Sequence, residues 1–102
     1  MGYREERRLK KKLEREGAKA SKDRGSPLPG SQKADLIAEF DRFAFLVEEK
    51  TRTKGLTEFM TWYEKIRHLA LLRGRIPVLI LNSTLVVLPV EDFLSILKEV
   101  KK

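Results

Sequence analysis

The chain has 102 residues, with 22 Lys and Arg against 15 Asp and Glu, a formal charge of +7 and no cysteine. A chain of this length hides about two-thirds of its unfolded surface and supports one core, which excludes a multidomain enzyme. The absence of cysteine excludes a disulfide scaffold and thiolate metal sites, and no apolar run approaches the roughly 18 residues needed to span a bilayer. At 41% hydrophobic residues the chain can bury a core even though 36% of it is charged, so it reads as globular rather than disordered. The charge is unevenly placed: residues 1–33 hold 11 Lys and Arg against 5 Asp and Glu, and residues 34–102 hold 11 against 10. One end is a cation, which points to a polyanionic partner, nucleic acid ahead of an anionic membrane surface.

From Tyr3 to Glu16 the clear apolar positions are Leu9 and Leu13, four apart on one face, which predicts a short basic amphipathic helix over 3–16 ended by Gly17. Glu6, three positions before Leu9, shares that face. Residues Ala18 to Lys22 predict an edge strand, and 23–33 (DRGSPLPGSQK) a flexible loop rich in Gly, Pro and Ser. Ala34 to Phe40 and Phe43 to Lys50 read as the strands of a hairpin turned by Asp41 and Arg42. With that two-residue turn Asp35 falls opposite Glu48, and the strand period of two adds Lys50 to the same face while sending Glu49 to the other. Thr57 to Arg73 carries Phe59, Trp62, Tyr63, Ile66, Leu69 and Ala70 at helical spacing and stops at Gly74. Ile76 to Leu81 (IPVLIL) is apolar throughout, as expected of a strand covered on both faces. Strand, helix and buried strand imply a right-handed parallel crossover. Asn82 and Ser83 turn the chain into Thr84 to Leu88, and residues 89–100 predict a closing helix with Phe93, Ile96, Leu97 and Val100 inward. The predicted fold is α/β: a mixed central sheet of about five strands flanked by helices, in one domain over 1–102.

Like charges directly opposed in a sheet destabilise it, so Asp35 facing Glu48 needs a reason. A divalent cation supplies one. Mg²⁺ takes hard oxygen ligands and is typically held by one or two carboxylates with water and phosphate oxygens. Beside it a lysine can neutralise charge that develops on a phosphate, so Asp35, Glu48 and Lys50 suit phosphodiester hydrolysis. Against this, an E-x-K triplet arises readily in so charged a chain, and these side chains would then be solvated residues at a sheet end. His68 stands alone on the long helix and is expected to be exposed.

The whole arrangement is more specific than the triplet. Glu6 in REERRLKKKLEREG, Ser26 in the RGS run, Asp35 in KADLIAEF, and Glu48 and Lys50 in FLVEEKT together resemble the PD-(D/E)XK nuclease superfamily, and within it the archaeal-type Holliday junction resolvases. The spacings from Glu6 to Gly17, Gly17 to Ser26 and Asp35 to Glu48 agree with that pattern, and RIPVLIL looks like the family's buried strand after its long helix. The resemblance implies a restriction-endonuclease-like core and a Mg²⁺-dependent endodeoxyribonuclease, with Mn²⁺ as a substitute ion and no nucleotide cofactor, that resolves four-way DNA junctions by paired symmetric nicks. It implies catalytic roles for Glu6, Ser26, Asp35, Glu48 and Lys50, with Ser31 as a substitute for Ser26. Asp35, Glu48 and the carbonyl of Glu49 would ligate the metal, and Glu6 would reach it through water. Arg4, Arg7, Lys22, Arg24 and Lys33 would contact phosphates. The family often carries two aromatic residues late in the long helix at a dimer contact; the matching positions here are Leu69 and Arg73, and Trp62, Ile66 and Leu69 are the expected interface of a homodimer. The resemblance further implies a cytoplasmic location, or the host cytoplasm for a phage-encoded chain, and no membrane partner. Two other functions fit the same sequence: a related nuclease acting on flaps or other branched DNA, and a non-catalytic basic DNA-binding protein.

Overall fold

The computed structural model describes residues 3–25, 33–51 and 55–100. The chain runs α1 (Tyr3–Arg15), β1 (Lys19–Lys22), β2 (Leu36–Phe40), β3 (Phe43–Lys50), α2 (Leu56–Leu72), β4 (Ile76–Leu81), β5 (Leu85–Val87) and α3 (Val90–Val100). The five strands form one sheet in the order β1-β2-β3-β4-β5. Only the β3–β4 pair is parallel, with α2 as its crossover, and the other three pairs are antiparallel. This is the expected mixed α/β sheet.

The register of the hairpin follows from its turn. Asp41 takes a left-handed backbone (φ 55°), which Asp tolerates better than most residues, and Phe40 pairs with Phe43 and Leu36 with Val47. That pairing sets Asp35 and Glu48 across from each other just beyond the last paired position. It also sorts the side chains by parity. Leu36, Ala38, Val47, Val78 and Ile80 point to one face, where Leu9 and Leu13 of α1 cover them. Leu46 and Leu79 point to the other, where Ile66 and Ala70 of α2 complete the core together with Ala34, which precedes β2. Leu46 and Leu79 are fully buried, each contributing about 1.5–3 kcal/mol. Gly17 ends α1 in a left-handed conformation (φ 98°), with a Phe40 ring carbon 3.5 Å from where a Cβ would stand. β4 is buried from Pro77 to Ile80, with Pro77 ahead of Leu79, where β5 begins to pair.

Two expectations fail. Ile66 is 3% exposed and belongs to the core, with Trp62 and Leu69 packed against the same cluster. Ile66 therefore has no surface left for a dimer contact, whereas Trp62 and Leu69 remain half-buried. The apolar positions α2 leaves exposed are Leu56, Met60, Leu71 and Leu72. Likewise α3 does not close the core. Phe93, Leu97 and Val100 are exposed, together with Val90 and Leu94, and of the four positions expected inward only Ile96 is half-buried. The physical reason lies next door: β5 has only three residues, two of them exposed, so little sheet remains for α3 to cover. An ion pair of 2.7 Å from Arg42 in the hairpin turn to Glu99 ties its far end down. Among the described residues no helix is long and apolar enough to cross a membrane.

Candidate active site

Asp35 sits where β2 begins. Its N–H donates to the carbonyl of Val47 (3.1 Å), and its Oδ2 accepts the N–H of Glu49 (2.9 Å). The side chain is therefore folded against the end of β3, on the face that the register gives to Glu48. Burial pushes Glu48 up, the hydrogen bond to Asp35 and the Asp35 charge push it further, and nearby Lys50 only partly offsets them, so its pKa stands at about 8. Two hard oxygen donors held side by side form a pair whose charge a divalent cation would offset. The donor set fits such an ion.

Lys50 lies on the same face, as the strand period requires. Its Nζ stands 5.4 Å from the centre of the Trp62 ring, a cation–π contact. Sequence periodicity marks Trp62 as apolar, but its pairing with Lys50 depends on how α2 crosses the sheet, which no local pattern carries. Glu49 points to the opposite face, as expected. It is 2% exposed and accepts a hydrogen bond from the Ser83 hydroxyl (3.1 Å). It lines a cavity of about 230 Å³ with Arg8, Lys12, Ser83 and Thr84. The N–H of Asn82 in that turn donates to the carbonyl of Lys50 (2.6 Å), so the β4–β5 turn holds the end of β3.

Glu6 stands apart from the pair. It lines a cavity of about 290 Å³ with Arg7, Lys10, Lys11, Lys22 and Leu36, on the α1 face of the sheet, while Asp35, Glu48 and Lys50 occupy the α2 face. Among the described residues no three acidic, histidine or cysteine side chains converge as a metal centre. The structure thus brings Asp35, Glu48 and Lys50 together and leaves Glu6 at the same end of the sheet on its other side. Arg7 and Lys22 meet at the Glu6 cavity, and Arg4, Arg7, Arg8 and Lys11 line a shallow depression beside it. Arg24 and Lys33 are exposed at the two described ends of the loop. Ser26 and Ser31 lie outside the described residues. His68 is exposed, as expected.

One group has no counterpart in the sequence reading. Asp23, taken there as the first residue of a flexible loop, is 1% exposed. It binds both guanidinium nitrogens of Arg73 (2.7 and 2.8 Å). Burial alone would raise its pKa, but the bonds from Arg73, Gly25 N–H and Ala34 N–H outweigh that and hold it at about 2. Arg73, at a position matched to a dimer contact, is turned inward onto this carboxylate. A separation of 50 positions between the partners leaves no spacing signal by which sequence could pair them.

No family model matches the chain, and no curated protein matches it. Among solved structures it is similar to Hjc of Archaeoglobus fulgidus, a Holliday junction resolvase from an archaeal hyperthermophile, with a TM-score of 0.55 and 20% identity over 86% of this chain and 75% of that one. At that identity the likeness speaks for the architecture: the chain shares the α/β fold of that structure.

Proposed function

We infer that the protein is a metal-dependent endodeoxyribonuclease acting on branched DNA, four-way junctions above all, as a homodimer. The observation that carries this reading is the opposed Asp35–Glu48 pair with Lys50 on its face, at the end of a fold also found in a junction resolvase. Asp35, Glu48 and the carbonyl of Glu49 would hold Mg²⁺, or Mn²⁺ in its place, and Glu6 would act through water rather than as a direct ligand. Such an ion supplies positive charge to the phosphoryl transition state and makes water a better nucleophile at neutral pH. Lys50, steadied by Trp62, would neutralise charge growing on the scissile phosphate. Ser26 would approach the backbone near the cut. Arg4, Arg7, Lys22, Arg24 and Lys33 would fix the register of the duplex arms through phosphates, which carry little sequence information.

Two symmetric nicks require two sites. The surface that suits a second copy is the exposed apolar stripe of Val90, Phe93, Leu94, Leu97 and Val100 on α3, since exposed apolar patches of this kind mark interaction surfaces. A DNA-processing role would place the protein in the cytoplasm, or the host's for a phage-encoded chain. The test is a labelled synthetic four-way junction incubated with and without Mg²⁺, beside flap and linear duplex controls. Wild type is expected to cut the junction only with the ion, and Asp35→Asn to lose more than about a hundredfold of the rate, beyond what is typical for residues that merely support a ligand. Equal cutting by both proteins, or none by either, overturns the reading.

A further inference from the structure

The Asp23 carboxylate is saturated by four donors from three parts of the chain. Oδ2 accepts Ala34 N–H (2.7 Å) and Arg73 Nη1 (2.7 Å), and Oδ1 accepts Gly25 N–H (3.0 Å) and Arg73 Nη2 (2.8 Å). Its own N–H donates to the carbonyl of Asp35 (3.1 Å). Asp23 therefore grips the Ala34–Asp35 segment from both sides, by side chain on the N–H of Ala34 and by backbone on the carbonyl of Asp35. A buried ion pair is a poor way to gain stability, because well-packed apolar residues do as well without the desolvation cost. What four fixed donors supply is a single orientation, and the planar fork of Arg suits that task where the point charge of Lys does not.

The group held in that orientation is Asp35, whose carboxylate makes its next contacts with the Glu49 N–H and with Glu48. Arg73 caps the C-terminal end of α2, its N–H reaching the carbonyls of Ala70 and Leu71. One helix thus reaches both halves of the pair's surroundings, touching Lys50 through Trp62 and Asp35 through Arg73 and Asp23. We propose that the Asp23–Arg73 clasp is a positioning device that aims the Asp35 carboxylate at Glu48 and the end of β3. The proposal rests on the reading of Asp35 and Glu48 as the reactive pair.

The test compares wild type with Arg73→Met, which keeps the stem and removes the fork, and with Arg73→Lys, which keeps the charge. Val78→Ala, a change confined to the α1-side core, serves as a destabilised control. In Arg73→Met the amide of Ala34 is expected to lose its protection from hydrogen exchange and the Glu49 amide resonance to move. The Mg²⁺ concentration for half-maximal junction cutting should rise about ten- to hundredfold, as when a support of a metal ligand is lost, while metal-free junction affinity stays unchanged. Arg73→Lys should fall between, and carries the same comparison if Arg73→Met does not fold. Val78→Ala should move neither the Glu49 resonance nor the metal requirement. An unmoved Glu49 resonance in a folded Arg73 variant, or an equal shift in Val78→Ala, overturns the clasp. If wild type cuts no DNA the nuclease reading falls, and the two amide measurements alone decide the clasp.

Discussion

Glu48 and Asp23 are carboxyl groups displaced in opposite directions, and stability should follow both. Glu48 has its pKa raised to about 8 by burial and then by Asp35, so between the ordinary value of 4.5 and about 8 the folded state holds a proton that the unfolded state has lost. Stability of the metal-free protein should therefore fall as pH rises across that window. Asp23, held at about 2 against an ordinary 3.8, contributes stability that is present above 3.8 and lost as pH falls through about 2. Melting temperatures measured across pH without metal should show both slopes. Glu48→Gln, which can still donate to Asp35, should flatten the first, and Asp23→Asn should remove the second while lowering the melting temperature at pH 7. Trp62 offers a separate test. Trp62→Leu keeps apolar contact but loses the ring under Lys50, and a cation–π contact of about 0.5–2 kcal/mol converts to a loss of about two- to thirtyfold in cutting rate, read in a single-turnover assay. At this scale the sequence was legible where periodicity alone decides the face, as for Asp35, Glu48 and Lys50. It was illegible where a partner comes from a distant element, as Arg73 does for Asp23 and Trp62 for Lys50.

The elements divide the labour by sheet face. α1 brings its cations to one face, α2 carries the supports of Asp35 and Lys50 to the other, and β3 runs between them, paired on both sides. Phosphate contacts through α1 and β1 should make junction binding steeply salt-dependent. Arg7→Ala and Lys22→Ala should each lower the slope of log affinity against log salt by about 0.9, without changing which junction sequences are preferred, as fluorescence anisotropy across a salt series would show. The hairpin was readable to the residue because a two-residue turn and an alternating pattern leave one register. The long helix and buried strand were readable because spacing and continuous apolarity are strong signals. α3 was not: its stripe of Val90, Phe93, Leu94, Leu97 and Val100 states that a face is to be covered, not whether the cover is this chain's own sheet or another molecule. For the same reason Ile66 could be assigned to an interface when it belongs to the core.

On the scale of the whole molecule, the core is small, and α3 leaves Val90, Phe93, Leu94, Leu97 and Val100 uncovered. Leu94→Glu should therefore leave a folded monomer in sedimentation equilibrium, weaken self-association by about tenfold or more, and convert paired cuts into isolated nicks. The sheet itself limits what such association can become. Its two edges are unlike: β1 exposes Lys19, Ser21 and Lys22, charges that repel a further strand, whereas β5 offers Leu85 and Val86 with no charge. Growth by strand addition is therefore open at one edge and guarded at the other. Two copies meeting at β5 would use up the permissive edge of each and present lysines outward. Polymerisation would need a second permissive edge, so an assembly formed there would close at a pair rather than grow into a fibre.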